Sequence, residues 1–226
     1  MTARPAAGVV SALVLAASVV GSAADLSSYR TFRFGDDVVT VATQAGIRPT
    51  SVKVIHQRPH LIQEMEWYGP SIPLDPIKPD PVSGGILSFL DGKLYRIVIT
   101  YDRYRIEGLT VEELIGAISQ TYGPAERPGT EIPFPTSYGD VAKVIARWQD
   151  AKYACDLVRT GDGTSFALTA YSKQEEVLAE AAIHEAARLD RIEAPRKAVE
   201  EELKRAEAER LALEKTRATN KRNFRP

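Results

Sequence analysis

The chain has 226 residues, with 29 Lys and Arg against 30 Asp and Glu, and a formal net charge of −1. That balance lacks the basic footprint of a nucleic-acid binder. A single cysteine, Cys155, leaves no partner for an internal disulfide, so the fold must stand on its hydrophobic core.

In chain order, residues 1–24 read as a secretory signal peptide. Arg4 supplies the positive start, Ala6 to Val20 the apolar run, and Gly21-Ser22-Ala23-Ala24 the small residues a signal peptidase accepts. The alternative is an uncleaved membrane anchor, which a run this short and this diluted by Ala, Gly and Ser disfavours. The expectation is cleavage after Ala23 or Ala24, export to the periplasm or beyond, and no membrane span afterwards.

Residues 25–172 are expected to form an α+β domain. Tyr29 to Phe34 alternates aromatic and polar residues, as a short strand does. Gly35-Asp36-Asp37 then starts a helix whose inner face is Val38, Val41, Ala42 and Ala45, with Gly46 as its stop. Residues 47–60, with Pro49, Val52, Val54, Ile55 and Pro59, carry no decisive period. Leu61 to Tyr68 predicts a strand with Met65 and Trp67 on one face and Glu64 and Glu66 on the other. Five prolines between Gly69 and Gly85 make an extended connector with PxxP spacing, because each removes a ladder donor. Ile86 to Leu90, Asp91-Gly92 and Lys93 to Tyr101 predict a β-hairpin, since Asp-Gly suits the positive φ angles of a type I′ turn.

Thr110 and Glu113 are spaced as a capping box, and Leu109 with Leu114 as a hydrophobic staple. The helix they open buries Leu114, Ile115, Ile118 and Tyr122 and ends at Gly123-Pro124. After a Pro/Gly-rich loop to Gly139, three strands are predicted over Val141 to Trp148, Tyr153 to Arg159 and Ser165 to Tyr171. Thr160-Gly161-Asp162-Gly163 turns between the last two. The order helix, Pro-rich connector, strand ending near a Trp (Trp67, Trp148), Asp-Gly hairpin occurs twice. It divides the domain into two αβββ units, residues 29–105 and 106–172, with antiparallel sheets.

The Phe34-Gly35 start, the Val38 and Val41 helix, the Gly46 stop and the Asp91-Gly92 hairpin resemble the small αβββ modules of exported envelope proteins. The outer-membrane assembly lipoproteins of the SmpA/OmlA type are the familiar case. The resemblance spans Phe32 to Tyr122, and this chain lacks that family's lipidated cysteine. It implies an envelope-associated, non-catalytic interaction module and carries over no functional residue.

Residues 173–226 are rich in Ala, Glu, Lys, Arg and Leu and predict a charged helical arm. Val177, Ala181, Ala182, Ala186, Leu189 and Ile192 make a thin apolar stripe, and Pro195 divides the arm. Beyond it, Val199, Leu203, Ala206, Leu211 and Leu213 hold no regular heptad. The end is basic, with Lys215, Arg217, Lys221, Arg222 and Arg225, and suits an anionic surface or an envelope protein as partner.

Catalytic motifs are missing: there is no Gly-x-Ser-x-Gly elbow, P-loop or dinucleotide glycine pattern. No cofactor is expected. Cys155 falls mid-strand and His184 in the charged helix. Two alternatives to an interaction protein remain. One is a metal-assisted enzyme using His56, His60 and Glu64, although Pro59 keeps the two histidines off a shared helix. The other is a small-ligand binder with Trp67 and Trp148 as stacking platforms between the two units.

Overall fold

A computed structural model of the chain describes residues 25–69, 80–128, 132–135, 141–160, 165–223 and 225. Residues 1–24, read above as a signal peptide, most of the proline connector and the Gly161-Asp162-Gly163 stretch lie outside the described residues.

The Tyr29 to Phe34 stretch departs from the expected single strand. Arg30, at φ 55°, folds it into a hairpin of β1 (Ser28–Tyr29) and β2 (Phe32–Arg33). The turn sends both Tyr29 and Phe32 into the core. Helix α1 (Val38–Ala45) starts where expected, with the Asp37 carboxylate accepting the Val39 and Thr40 N–H groups, and stops at Gly46 at φ 68°. A short 3-10 turn leads into β3 (Lys53–His56), followed by β4 (Ile62–Trp67), β5 (Val82–Leu90) and β6 (Lys93–Tyr101). Asp91 and Gly92, at φ 49° and 78°, make the β5–β6 turn as their sequence predicts. In α2 (Val111–Tyr122) the Thr110–Glu113 capping box is formed in both directions. The remaining elements are β7 (Ile132–Pro135), β8 (Val141–Gln149), β9 (Tyr153–Thr160), β10 (Ser165–Ser172) and α3 (Lys173–Asn223).

The fold is α+β, with antiparallel sheets and a long C-terminal helix. Each half holds one strand more than its pattern suggests: α1 precedes β3 to β6, and α2 precedes β7 to β10. The extra strands are β3, in the segment without a decisive period, and β7, in the Pro-rich loop. β7 carries Pro133 and Pro135 and is an outermost strand, the place where a missing ladder donor is tolerated. The halves join in a single eight-stranded sheet of order β3-β4-β5-β6-β10-β9-β8-β7. The seam is the β6–β10 ladder, and the strand order on either side of it mirrors the other.

One face of the sheet buries Met65, Leu87, Phe89, Ile97, Trp148 and Leu157 under α1, α2 and the β1–β2 hairpin. The other face receives α3. Adjacent residues of β6 show the division: Leu94 belongs to the first core, whereas Tyr95 packs with Ile62, Leu90, Ala179 and Ala182.

Helix α3 runs unbroken through Pro195 rather than being divided there. Proline removes one helical hydrogen bond, but the flanking residues are good helix formers and Lys197 pairs with Glu193 across it at 3.3 Å. The buried residues of α3 are Glu176, Ala179, Ala182 and Ala186. The expected stripe is therefore wrong at Val177, which is 65% exposed, at Ala181, which is exposed, and at Ile192, which is 59% exposed. The helix is rotated so that Glu176 meets the sheet and small alanines follow it.

Candidate functional site

Beneath the start of α3 lies a cluster of buried charge. Asp156, in the middle of β9, has no exposed surface. Arg147 of β8 donates two hydrogen bonds to its carboxylate, Nε to Oδ1 at 2.6 Å and Nη2 to Oδ2 at 2.8 Å. Tyr171 of β10 donates a third, at 3.2 Å. Alternation places these side chains on the face opposite Trp148, Cys155 and Leu157. Arg96 of β6 sets its Nη1 3.1 Å from Glu176 Oε1, both side chains being nearly enclosed. Burial pushes the Glu176 carboxyl up from its ordinary 4.5 to about 7, Arg96 opposes the rise, and Glu180 and Asp156 add to it.

That raised carboxyl makes the seating of α3 pH-dependent. The folded state binds the Glu176 proton more tightly than the unfolded chain, so its contribution is complete below about pH 4.5 and is lost as pH rises through about 7. Relative to Glu176→Gln, the native chain should lose on the order of 2 kcal/mol between pH 4.5 and 8. Urea unfolding of both proteins across that range measures the difference. Parallel curves would remove Glu176 as the cause.

A second feature sits where the halves meet on the opposite face. A cavity of about 440 Å³ opens between α2, Tyr101 at the end of β6, Leu168 of β10 and the β1–β2 hairpin. Its lining is mostly carbon, from Ile106, Leu114 and Ile118, with Tyr29, Tyr101 and Tyr122 around it. Burial pushes the Tyr29 phenol up to about 12 and the other two higher still, so all three stay neutral. Arg30 at the rim is held by Asp80 through two hydrogen bonds of 2.6 and 2.8 Å. Its volume is in the range of small-ligand pockets, and its chemistry would suit an apolar molecule.

The third feature is the free half of α3. From Ala194 onward every described residue is exposed. The last tie to the sheet domain is Arg58, in the loop before β4, whose guanidinium donates to both Glu193 carboxylate oxygens. Lys215, Arg217, Lys221 and Arg222 lie on the helix end and Arg225 just beyond it. Among the described residues none of the five forms an ion pair.

The metal candidates are not gathered into a ligand set. His60 Nδ1 lies 2.7 Å from Asp91 Oδ2 at the hairpin turn, while His56 ends β3 and Glu64 sits in β4 opposite Lys53. Among the described residues no group of three or more His, Cys, Asp or Glu could hold a metal ion. His184 is exposed on α3. Cys155 is buried, and burial pushes its thiol well up, which makes it inert.

Both tryptophans are core residues. Trp148 is 1% exposed and donates its Nε1 hydrogen to Gly123 O at 2.9 Å and Ser119 Oγ at 3.2 Å. Trp67 packs edge-on against Phe32 at 5.3 Å. The cleft between the halves exists, but tyrosines line it. Among the described residues no helix is long and apolar enough to cross a membrane. Comparison with protein-family models, curated proteins and solved structures found no match.

Proposed function

We propose that the chain is an exported, non-catalytic interaction protein of the cell envelope, in which the sheet domain is a base and α3 a docking arm. The observation that carries this reading is the fully exposed run from Ala194 to Asn223, helical yet serving no core. A helix without a packed face bridges to another body, is held by many local pairs, or is not stable by itself. Here only Glu200–Lys204 pairs side chains within that run among the described residues. The secretory-type start at residues 1–24 and the resemblance of Phe32 to Tyr122 to envelope modules support the compartment. The unpaired basic end, Lys215 to Arg225, supports contact with an anionic surface or an acidic partner.

The test is capture from envelope extracts by the chain from Asp25 and by a version ending at Ala194, which removes only exposed residues. The longer form should recover partners or anionic vesicles that the shorter one does not. Identical recovery by both would exclude the arm as the docking element.

A further inference from the structure

The geometry points to the free half of α3 as one strand of a heteromeric coiled coil, whose partner is a helix with basic flanks from another protein. This rests on the docking-arm reading and concerns the acidic-flanked stretch before residue 215, apart from the basic end that suits an anionic surface.

Counting apolar residues alone hides the period, because Leu211 lies off the stripe and two stripe positions are arginine. With Arg196 and Arg210 included, Leu189, Ile192, Arg196, Val199, Leu203, Ala206, Arg210 and Leu213 recur at alternating steps of three and four. That is the a/d spacing of a heptad, with Ile192, Val199, Ala206 and Leu213 at d. The seam is bare: Ile192 is 59% exposed, Val199 58%, Leu203 66% and Leu213 71%. Apolar side chains left open along one line of a helix form a face that a partner helix can cover.

The flanks define the partner. Beyond Pro195 the flanks are acidic: the e positions are Glu200, Glu207 and Glu214, and the g positions between them are Glu202 and Glu209. Glu202, Glu207, Glu209 and Glu214 have no ion-pair partner among the described residues. A second copy of this chain would meet these carboxylates with its own. Parallel pairing sets Glu202 against Glu207 and Glu209 against Glu214 of the other copy, and stacks Arg196 on Arg196 in one layer. Antiparallel pairing sets e against e and g against g, again Glu on Glu. Like charges so placed oppose association. The complement is a helix with Lys or Arg at e and g and a carboxylate in the layers facing Arg196 and Arg210. An arginine in a seam layer weakens binding but fixes register and partner.

Two synthetic four-heptad peptides, one patterned for each orientation, test this on the chain from Asp25. Both carry Leu at the apolar layers, Glu opposite Arg196 and Arg210, and Lys at e and g. A control series replaces those lysines with Glu, and another keeps the composition but scrambles the seam. Sedimentation equilibrium should show the chain alone to be monomeric. One Lys-flanked peptide should bind with low-micromolar affinity, about tenfold or more tighter than its Glu-flanked control. Glu202→Lys, Glu207→Lys, Glu209→Lys and Glu214→Lys together, all on exposed helix, should reverse that preference. Failure of both Lys-flanked peptides, equal binding of a scrambled one, or self-association through α3 would overturn the coiled-coil assignment. The docking-arm reading fails separately, when capture from extracts no longer depends on residues beyond Ala194.

Discussion

Trp148→Ala should destabilise the domain by about 3–5 kcal/mol, the range for emptying a fully buried indole site. Trp148 is enclosed in the sheet face that α2 covers. Its Nε1 hydrogen reaches Gly123 O and Ser119 Oγ, so it also holds the end of α2 to β8. Alanine removes the ring contacts and strands the Gly123 carbonyl. Trp148→Phe keeps most of the volume and loses mainly the hydrogen bonds, so it should fall well short of the alanine effect. Urea unfolding followed by circular dichroism measures both, with Trp67 left as the single fluorescent reporter. A loss below about 1 kcal/mol for alanine would show that α2 is not fastened through this residue.

Asp156→Ala should cost about 3 kcal/mol, at the low end of the range for removing one member of a buried ion pair. The lower end applies because the Arg147 side chain is 27% exposed and can turn toward water once its carboxylate is gone. The Tyr171 hydrogen bond to Asp156 is lost at the same time. Arg147→Met on the Asp156→Ala background should recover part of the loss, because it removes the unpaired charge. If the double variant is as unstable as the sum of both singles, the two residues are not coupled and the cluster is not a unit.

The sequence discloses those parts of the fold whose chemistry is local. The Thr110–Glu113 box, the Gly46 stop, the Asp91-Gly92 turn and the strands β8 to β10 each need only neighbouring residues, and each forms as predicted. β7 was hidden because its prolines are acceptable only on an outermost strand, and strand order is a property of the whole sheet. The α3 stripe departs from its hydropathy pattern for a similar reason. Hydropathy favours Val177 as the inner residue, but Arg96 on β6 draws Glu176 inward, and no local pattern reports that contact. One signal was available: Asp156 interrupts an apolar strand between Cys155 and Leu157, where a charge without a partner would be prohibitive. Its partners, Arg147 and Tyr171, are set by the register of β8 and β10 and not by spacing.

The coincidence of Pro195 with the Arg58–Glu193 tie has a mechanical consequence. Everything beyond that point, about 42 Å of rod at 1.5 Å per residue, hangs from a single hinge-like joint. Proline is where helices bend most readily, and a change of about 10° there sweeps the far tip through about 7 Å. Were α3 to dock as proposed, misalignment would be taken up at the root of the lever, leaving the eight-stranded platform undisturbed.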